Sequence, residues 1–337
     1  MRFLARMPDE LASWRRWWSA HYRGVLWALN GLLAVSAALK LGMEFHRLLF
    51  ESGPQGAIDL RIFQRMVQTW VSGEPLYGID RAANYPPASY VMLWPLVGWP
   101  AQSVARVLWA ATTVLALAWL IRLIVTESGA RVFPEAVFVT LMCLGMNATG
   151  VTIGNGQPIL HLLPPLITGL LLLARNPANW GGDLLGAGLL LWTLVKPSVS
   201  APFLWVALFL AGRLRPLALM AVGYGLLTAF SASFQEDTLP ALISGWLASS
   251  RAGAVRGGYA NLHLWLHDVG LDALIPLSSA VALGLLGYWV YRNRGTDLWI
   301  LLGVSGIVAR LWTYHRLYDD LLILPAEVAL FWFARGG

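Results

Sequence analysis

Residues 58–87 read IDLRIFQRMVQTWVSGEPLYGIDRAANYPP, an island of polar and charged side chains between strongly apolar runs. After Asp59, apolar residues recur at Leu60, Phe63, Met66, Val67, Trp70 and Val71, with Arg61, Gln64, Arg65 and Gln68 on the other side. That is the spacing of an amphipathic α-helix. A short helix of this kind lies in the membrane interface and does not cross it. Asp59 falls at its start, where the helix dipole favours an ionised carboxylate. An Asp there is either a helix cap or a carboxylate put to use at the membrane surface. The stretch ends at Tyr85-Pro86-Pro87, where apolar sequence resumes.

The flanking runs are long enough to span a bilayer. Of 337 residues, 57% are hydrophobic and only 12% charged, about half the charge of a soluble domain. The chain therefore reads as an all-α polytopic membrane protein, with too little sequence outside the membrane for a second, soluble domain. Its net charge of +6 sits at the ends of apolar runs, which anchors a membrane protein and does not make a nucleic-acid face. The one cysteine, Cys143, excludes a disulfide within the chain and a thiolate metal site. The 18 tryptophans, many beside Arg or at segment ends, fit an aromatic belt.

In chain order, Arg2, Arg6, Arg15, Arg16 and Arg23 precede the first span, Gly24 to about Met43, and place the N-terminus in the cytoplasm. The residues 1–23 form an arm on the membrane surface, and the first external loop covers 44–87. Residues 88–99 reach only about 18 Å as a helix, so they read as a half-depth or re-entrant element. Further spans are expected near 101–121, 135–151, 158–174, 183–196, 198–212, 216–233, 272–291, 296–310 and 318–333, about ten in all. With this parity Arg122, Arg131, Arg175, Arg213, Arg215, Arg292, Arg294 and Arg335 all fall in the cytoplasm, as the positive-inside rule requires. Both termini are then cytoplasmic. Asp59, Gln157, Lys196, a second external loop at 234–271 and the His315 region share the outer side.

Four polar constellations fall on that side. Asn155-Gly156-Gln157-Pro158 carries amides that either hydrogen-bond sugar hydroxyls or satisfy an interhelical turn. Lys196, in LLLWTLVKPSVSAPFLW, is costly within apolar sequence unless it meets water or a counter-ion. It either snorkels to the interface or clamps a lipid phosphate as a compact cation. The 234–271 loop holds Arg251, Arg256, Gly257-Gly258, Tyr259, Asn261, His263 and His267. His263 and His267 share a helical face, but no third metal ligand stands out, and the loop reads as a cover whose Asn261 and His263 contact substrate. The densest polar run is Arg310 to Asp320, where Asp319 or Asp320 ties helices to an arginine, or His315 and Arg316 bind a phosphate or orient a sugar.

In this order the motifs resemble the GT-C glycosyltransferases, specifically the family 87 polyprenyl-phosphate-sugar mannosyltransferases. The matching features are an Asp after the first span, the interfacial helix, Gly73-Glu74-Pro75-Leu76-Tyr77, the Tyr-Pro-Pro start, Gly156-Gln157, Lys196-Pro197 and a His-rich aromatic segment at 310–320. The resemblance implies one GT-C transmembrane domain over 1–337. It implies an inverting hexosyltransferase at the outer face of the plasma membrane, moving a hexose, mannose in the family, from a polyprenyl-phosphate donor to a lipid or glycan acceptor. Asp59 would be the base. Arg61, Tyr85, Asn155, Gln157, Lys196, Asn261, His263, His315 and Arg316 would bind substrate. No cofactor is expected, because the lipid phosphate already activates the sugar, and no Gly-rich nucleotide loop is evident. The alternative is a transporter or flippase of lipid-linked intermediates, which needs no external base.

Overall fold

The computed structural model describes residues 9–209, 214–254 and 261–335. Arg2, Arg6, Arg213 and the Arg256–Tyr259 part of the second loop lie outside the described residues. All regular structure among the described residues is helical. Helix α1 (Asp9–Leu49) runs from the N-terminal arm through the first apolar segment, and α2 (Ile58–Val71) is the helix expected after Asp59. A short α3 (Pro87–Leu93) passes into a π-helical turn (Trp94–Gly98), so the 88–99 element is indeed too short to cross alone. Then follow α4 (Gln102–Glu127), α5 (Phe133–Gly145), α6 (Asn147–Asn155), α7 (Ile159–Arg175), α8 (Trp180–Thr193), α9 (Pro197–Phe209) and α10 (Leu214–Ala232). The second loop carries α11 (Leu239–Ala254) and α12 (Leu262–Asp268). After it come α13 (Ile275–Arg292), α14 (Leu298–Leu311), a 3₁₀ segment (Leu317–Ile323) and α15 (Leu324–Ala334).

The all-helical membrane architecture is the one expected from the sequence. By length and apolarity four segments can cross a bilayer singly: Ala20–Leu49, Gln102–Glu127, Leu214–Ala232 and Asp272–Arg292. The pair α5 and α6, bent by 50°, makes a fifth if it is one span. Helices α7, α8, α9, α14 and α15 have 17, 14, 13, 14 and 11 residues. At 1.5 Å per residue they reach only about 16–26 Å, short of the roughly 30 Å of hydrocarbon. They end where the sequence breaks the helix, as at Leu194–Lys196 before Pro197. Interrupted backbone at membrane depth is tolerated where protein surrounds it. That is the situation of α7, which is buried along nearly its whole length.

Basic helix ends gather at one end of the bundle. Arg175 pairs with Glu127 at 2.5 Å, Arg335 with Glu135 at 3.1 Å and Arg215 with Asp183 at 3.1 Å. These contacts join the ends of α7 and α4, of α15 and α5, and of α10 and α8. Trp299, at the start of α14, donates to Glu127 at 3.1 Å.

The apolar side of the amphipathic helix α2 packs on protein. Leu60, Phe63, Met66, Val67 and Trp70 are buried in the protein core. Trp70 stacks on Tyr90 of α3 at 4.7 Å and donates to the Ser231 carbonyl at 2.9 Å. Even the polar side is engaged, since Gln64 and Gln68 donate to the carbonyls of Pro100 and Gly98. The α3–π element thus packs beneath α2.

Candidate active site

Asp59 is the second residue of α2 and does not cap it. The residue at the cap position is Ala57, which is buried, makes no capping bond and adopts a left-handed conformation with φ 46°. Such a conformation in a non-glycine residue costs on the order of 1–3 kcal/mol and persists only where the surroundings impose it. Here it turns the chain so that the first turn of α2 faces the link between α6 and α7. That link is equally tight. Gly156, at φ 74°, ends α6 and lies so close to α2 that an added Cβ would sit 2.5 Å from Leu60 Cβ. The close approach brings Asn155 and Gln157 to Asp59.

A cavity of about 550 Å³ opens over this junction, within the usual range for small-molecule sites. Asp59, Tyr85, Gln157, Lys196 and Arg316 line it together, although they come from five separate parts of the sequence. Among the described residues Asp59 is the one acid on its wall. Burial pushes the Asp59 carboxyl above its ordinary range, against the opposing pull of Gln157, Arg316, Lys196 and Asn155. The basic neighbours and the dipole therefore do not hold Asp59 at a low pKa, because removal from water outweighs them. Its Oδ2 is buried without a hydrogen-bond partner, and so is Oε1 of Gln157.

Lys196 occupies the break between α8 and α9 and does not snorkel. It is 9% exposed, its ammonium lies 2.6 Å from Asp319 Oδ1, and it sits 4.9 Å over the Tyr318 ring. Asp319 is wholly buried, and its Oδ2 accepts from the Arg316 backbone N–H at 3.0 Å. Asp320 instead pairs with Arg310. Arg316 presents an open cation. Its guanidinium leans on the Tyr314 hydroxyl and ring, faces Asp59, and has no carboxylate partner among the described residues.

The other expected contacts lie elsewhere. His315 is fully buried beneath the Lys196–Asp319 pair, with Nε2 against the Ala309 carbonyl and Nδ1 3.9 Å from Asp319. Burial pushes its imidazole down to about 3 despite Asp319, while both ring nitrogens lie against carbonyl oxygens, Nδ1 at 2.7 Å from that of Tyr314. Asn261 caps α12, accepting from Leu264 N–H at 2.9 Å, and His263 hydrogen-bonds Ser279 at 2.6 Å. Neither lines the cavity. Arg61 donates to the Pro54 carbonyl and also points away from it. Asn155 touches the site only through Asp59.

Sequence reasoning missed one wall. Trp246, Leu247, Ser250 and Gly253 of α11 face Asp59 across the cavity, with Arg81 and Asn84 from the first loop. The Trp246 indole and the Ser250 hydroxyl both donate to the Asn84 carbonyl, at 3.0 and 3.2 Å. The 234–271 loop does cover the site, but through α11 and not through Asn261 and His263. Nothing in the spacing of LPALISGWLASS marks Trp246. Trp312 and Tyr314 also line the cavity, and both lie inside the polar run at 310–320 already singled out.

Comparison with curated proteins and with solved structures returned no match to the chain. The family model for glycosyltransferase family 87 matches residues 84–333. The matched segment takes in Tyr85, Gln157, Lys196, α11 and Arg316, and begins after Asp59 and α2. A match over about three quarters of the chain, on an all-helical membrane fold, makes this protein a member of glycosyltransferase family 87.

Proposed function

We propose that this glycosyltransferase moves a hexose, mannose by its family resemblance, from a polyprenyl-phosphate donor to a lipid or glycan acceptor with inversion at C1. The observation that supports this is the pairing, in one cavity, of a lone carboxylate with an uncompensated cation. Asp59 and Arg316 both line a cavity with room for a hexose, with no second acid on its wall among the described residues. A retaining mechanism wants two carboxylates about 5 Å apart, and an inverting one needs a single base on the face opposite the leaving group.

In this reading the acceptor hydroxyl gives its proton to Asp59 as its oxygen attacks C1. The C1–O bond to the phosphate breaks, and the electron pair departs with the polyprenyl phosphate. Arg316 stabilises the charge that grows on that phosphate. One N–H of Lys196 is spent on Asp319, and the remaining donors of the ammonium are available to the same phosphate. An elevated Asp59 pKa suits the task, since a base works best when its pKa lies near the working pH. The aromatic rings of Tyr85, Trp246, Trp312 and Tyr314 supply flat apolar faces for the sugars and the prenyl chain. The site would open on the extracytoplasmic side of the plasma membrane, with both termini cytoplasmic.

The test is transfer by the purified chain in lipid nanodiscs, given polyprenyl-phosphate-[¹⁴C]mannose and membrane-lipid acceptors. Label should pass to the acceptor, and Asp59→Asn should cut the rate by about 10²–10⁴-fold. An Asn variant that folds and works near the wild-type rate would remove Asp59 as the base. A lipid flipped across vesicles without sugar transfer would favour the transporter reading.

A further inference from the structure

Resting on the reading of Asp59 as the base, the geometry points to Arg47 as a positioning residue that acts on Asp59 through Asn155. Arg47 lies in the last turn of α1. Its Nη2 donates to Asn155 Oδ1 at 2.6 Å and lies 2.9 Å from Glu44 Oε2. An amide has one acceptor end and one donor end. With the oxygen of Asn155 taken by Arg47, the NH₂ is the end left for the Asp59 carboxylate, which Asn155 faces.

The backbone of α6 is shaped for this contact. A Cβ added at Gly154 would overlap Glu44 Oε2 and would lie 2.5 Å from both Nε and Nη2 of Arg47. The Glu44–Arg47 pair therefore lies flat on bare backbone one residue before Asn155. Glu44 Oε2 meets Arg47 Nη2 in that ion pair, and the pair holds Arg47 beside Asn155. What it secures is the direction of one amide. Asn155 and Gln157 then present two N–H groups to the carboxylate, and both must hold still for the base to meet an acceptor hydroxyl.

The groups facing Asp59 otherwise are Arg316 and Lys196, with the phenols of Tyr85, Tyr314 and Tyr318. None of these touches Arg47, so a change at Arg47 reaches Asp59 by way of Asn155.

The experiment compares wild type, Arg47→Met, Arg47→Lys, Glu44→Gln, Asn155→Leu and the Arg47→Met/Asn155→Leu double variant, with two readouts. The first is the acid limb of the kcat profile for sugar transfer. The second needs no catalysis: the pH dependence of unfolding temperature, taken as the difference between each protein and the same protein carrying Asp59→Asn, reports the titration of Asp59. Loss of one hydrogen bond to the charged form should move both toward higher pH by about one unit in Arg47→Met, with kcat on the acid limb down about tenfold and donor KM unchanged. Arg47→Lys should recover part of the shift, because an ammonium can still hold the amide oxygen. Glu44→Gln, which leaves Arg47 in place but less tethered, should give a smaller shift of the same sign, and it answers the question if Arg47→Met does not fold. In the Asn155→Leu background Arg47→Met should add nothing. An equal further shift there, or no shift in either readout for Arg47→Met and Glu44→Gln, would overturn the role. Were the wild-type chain to transfer no sugar, the reading of Asp59 would fail while the titration still decided for or against Arg47.

Discussion

Replacing Lys196 by Met separates the support of the site from its chemistry. Met keeps most of the stem and deletes the ammonium 2.6 Å from Asp319 Oδ1. Asp319, with no exposed surface, is left with the Arg316 backbone N–H at 3.0 Å and the His315 ring at 3.9 Å. Breaking a buried pair from one side costs about 3–5 kcal/mol, because the remaining charge is stranded. The carboxyl can escape by taking up a proton. From an ordinary value near 3.9 that costs about 4 kcal/mol at pH 7 and about 1.5 kcal/mol at pH 5, at 1.36 kcal/mol per unit. The lost contact with the Tyr318 ring adds about 0.5–1 kcal/mol. Lys196→Met should therefore be destabilised by about 4 kcal/mol at neutral pH and by roughly half that at pH 5. Adding Asp319→Asn removes the stranded charge and should restore most of the loss. Thermal unfolding in detergent, followed by tryptophan fluorescence at both pH values, gives all four corners of the cycle. A single variant as stable as wild type, or a double variant no better than the single, would refute the view that this pair holds the site together. If Lys196 also serves the donor phosphate, the refolded double variant should still transfer sugar poorly.

Other outcomes follow from the same geometry. The folded value of Asp59 is raised, so its proton adds stability that is fully present below about pH 4 and is lost as pH rises through the elevated value. Asp59→Asn should therefore match wild type in unfolding temperature in acid and exceed it at pH 8, while losing transfer; equal pH curves for the two proteins would show that burial does not control this carboxyl. Gly156→Ala combines a left-handed backbone with a Cβ 2.5 Å from Leu60, and should lose about 1–3 kcal/mol together with nearly all transfer, as α2 shifts away from Gln157; wild-type activity would mean the turn yields freely. With the buried Cys143 replaced, cysteines placed at 80, 236 and 314 should label with an impermeant reagent added outside cells, and those at 178 and 293 should not. The reverse pattern would invert the proposed sidedness.

Much of the helical framework was legible because its signals are local. Apolar runs, the 3.6-residue spacing after Asp59 and proline at the breaks each act within a few residues, and they locate α2, α3, α7 and α9 within a few positions. Polar residues inside apolar sequence were equally informative, since Lys196 and Gln157 pay for burial only where something meets them. What could not be read was who meets whom. The partner of Lys196 is Asp319, 123 residues away, and nothing local distinguishes it from Asp320, which went to Arg310. His263 and Asn261 looked like substrate groups because they are polar in a covering loop, yet both are spent within the loop and on α13. Trp246 was invisible because a tryptophan in an apolar helix is ordinary; only the docking of α11 against Asn84 puts it over the site.

The reach between Lys196 and Asp319 also bears on how the protein is made. Helices enter the bilayer in the order of synthesis, and α1 to α14 all precede the residue that neutralises Lys196. Until the segment 312–324 arrives, the break between α8 and α9 holds a cation with no counter-charge, at a depth where lipid cannot supply one cheaply. The floor of the cavity is thus the last piece to be laid, and it is laid by charge neutralisation and not by apolar contact alone. A nascent chain stalled before Tyr318 would carry the first helices and α2 yet leave this lysine seeking water, a lipid phosphate or a quality-control protease. Completion of the site and relief of that charge are one event.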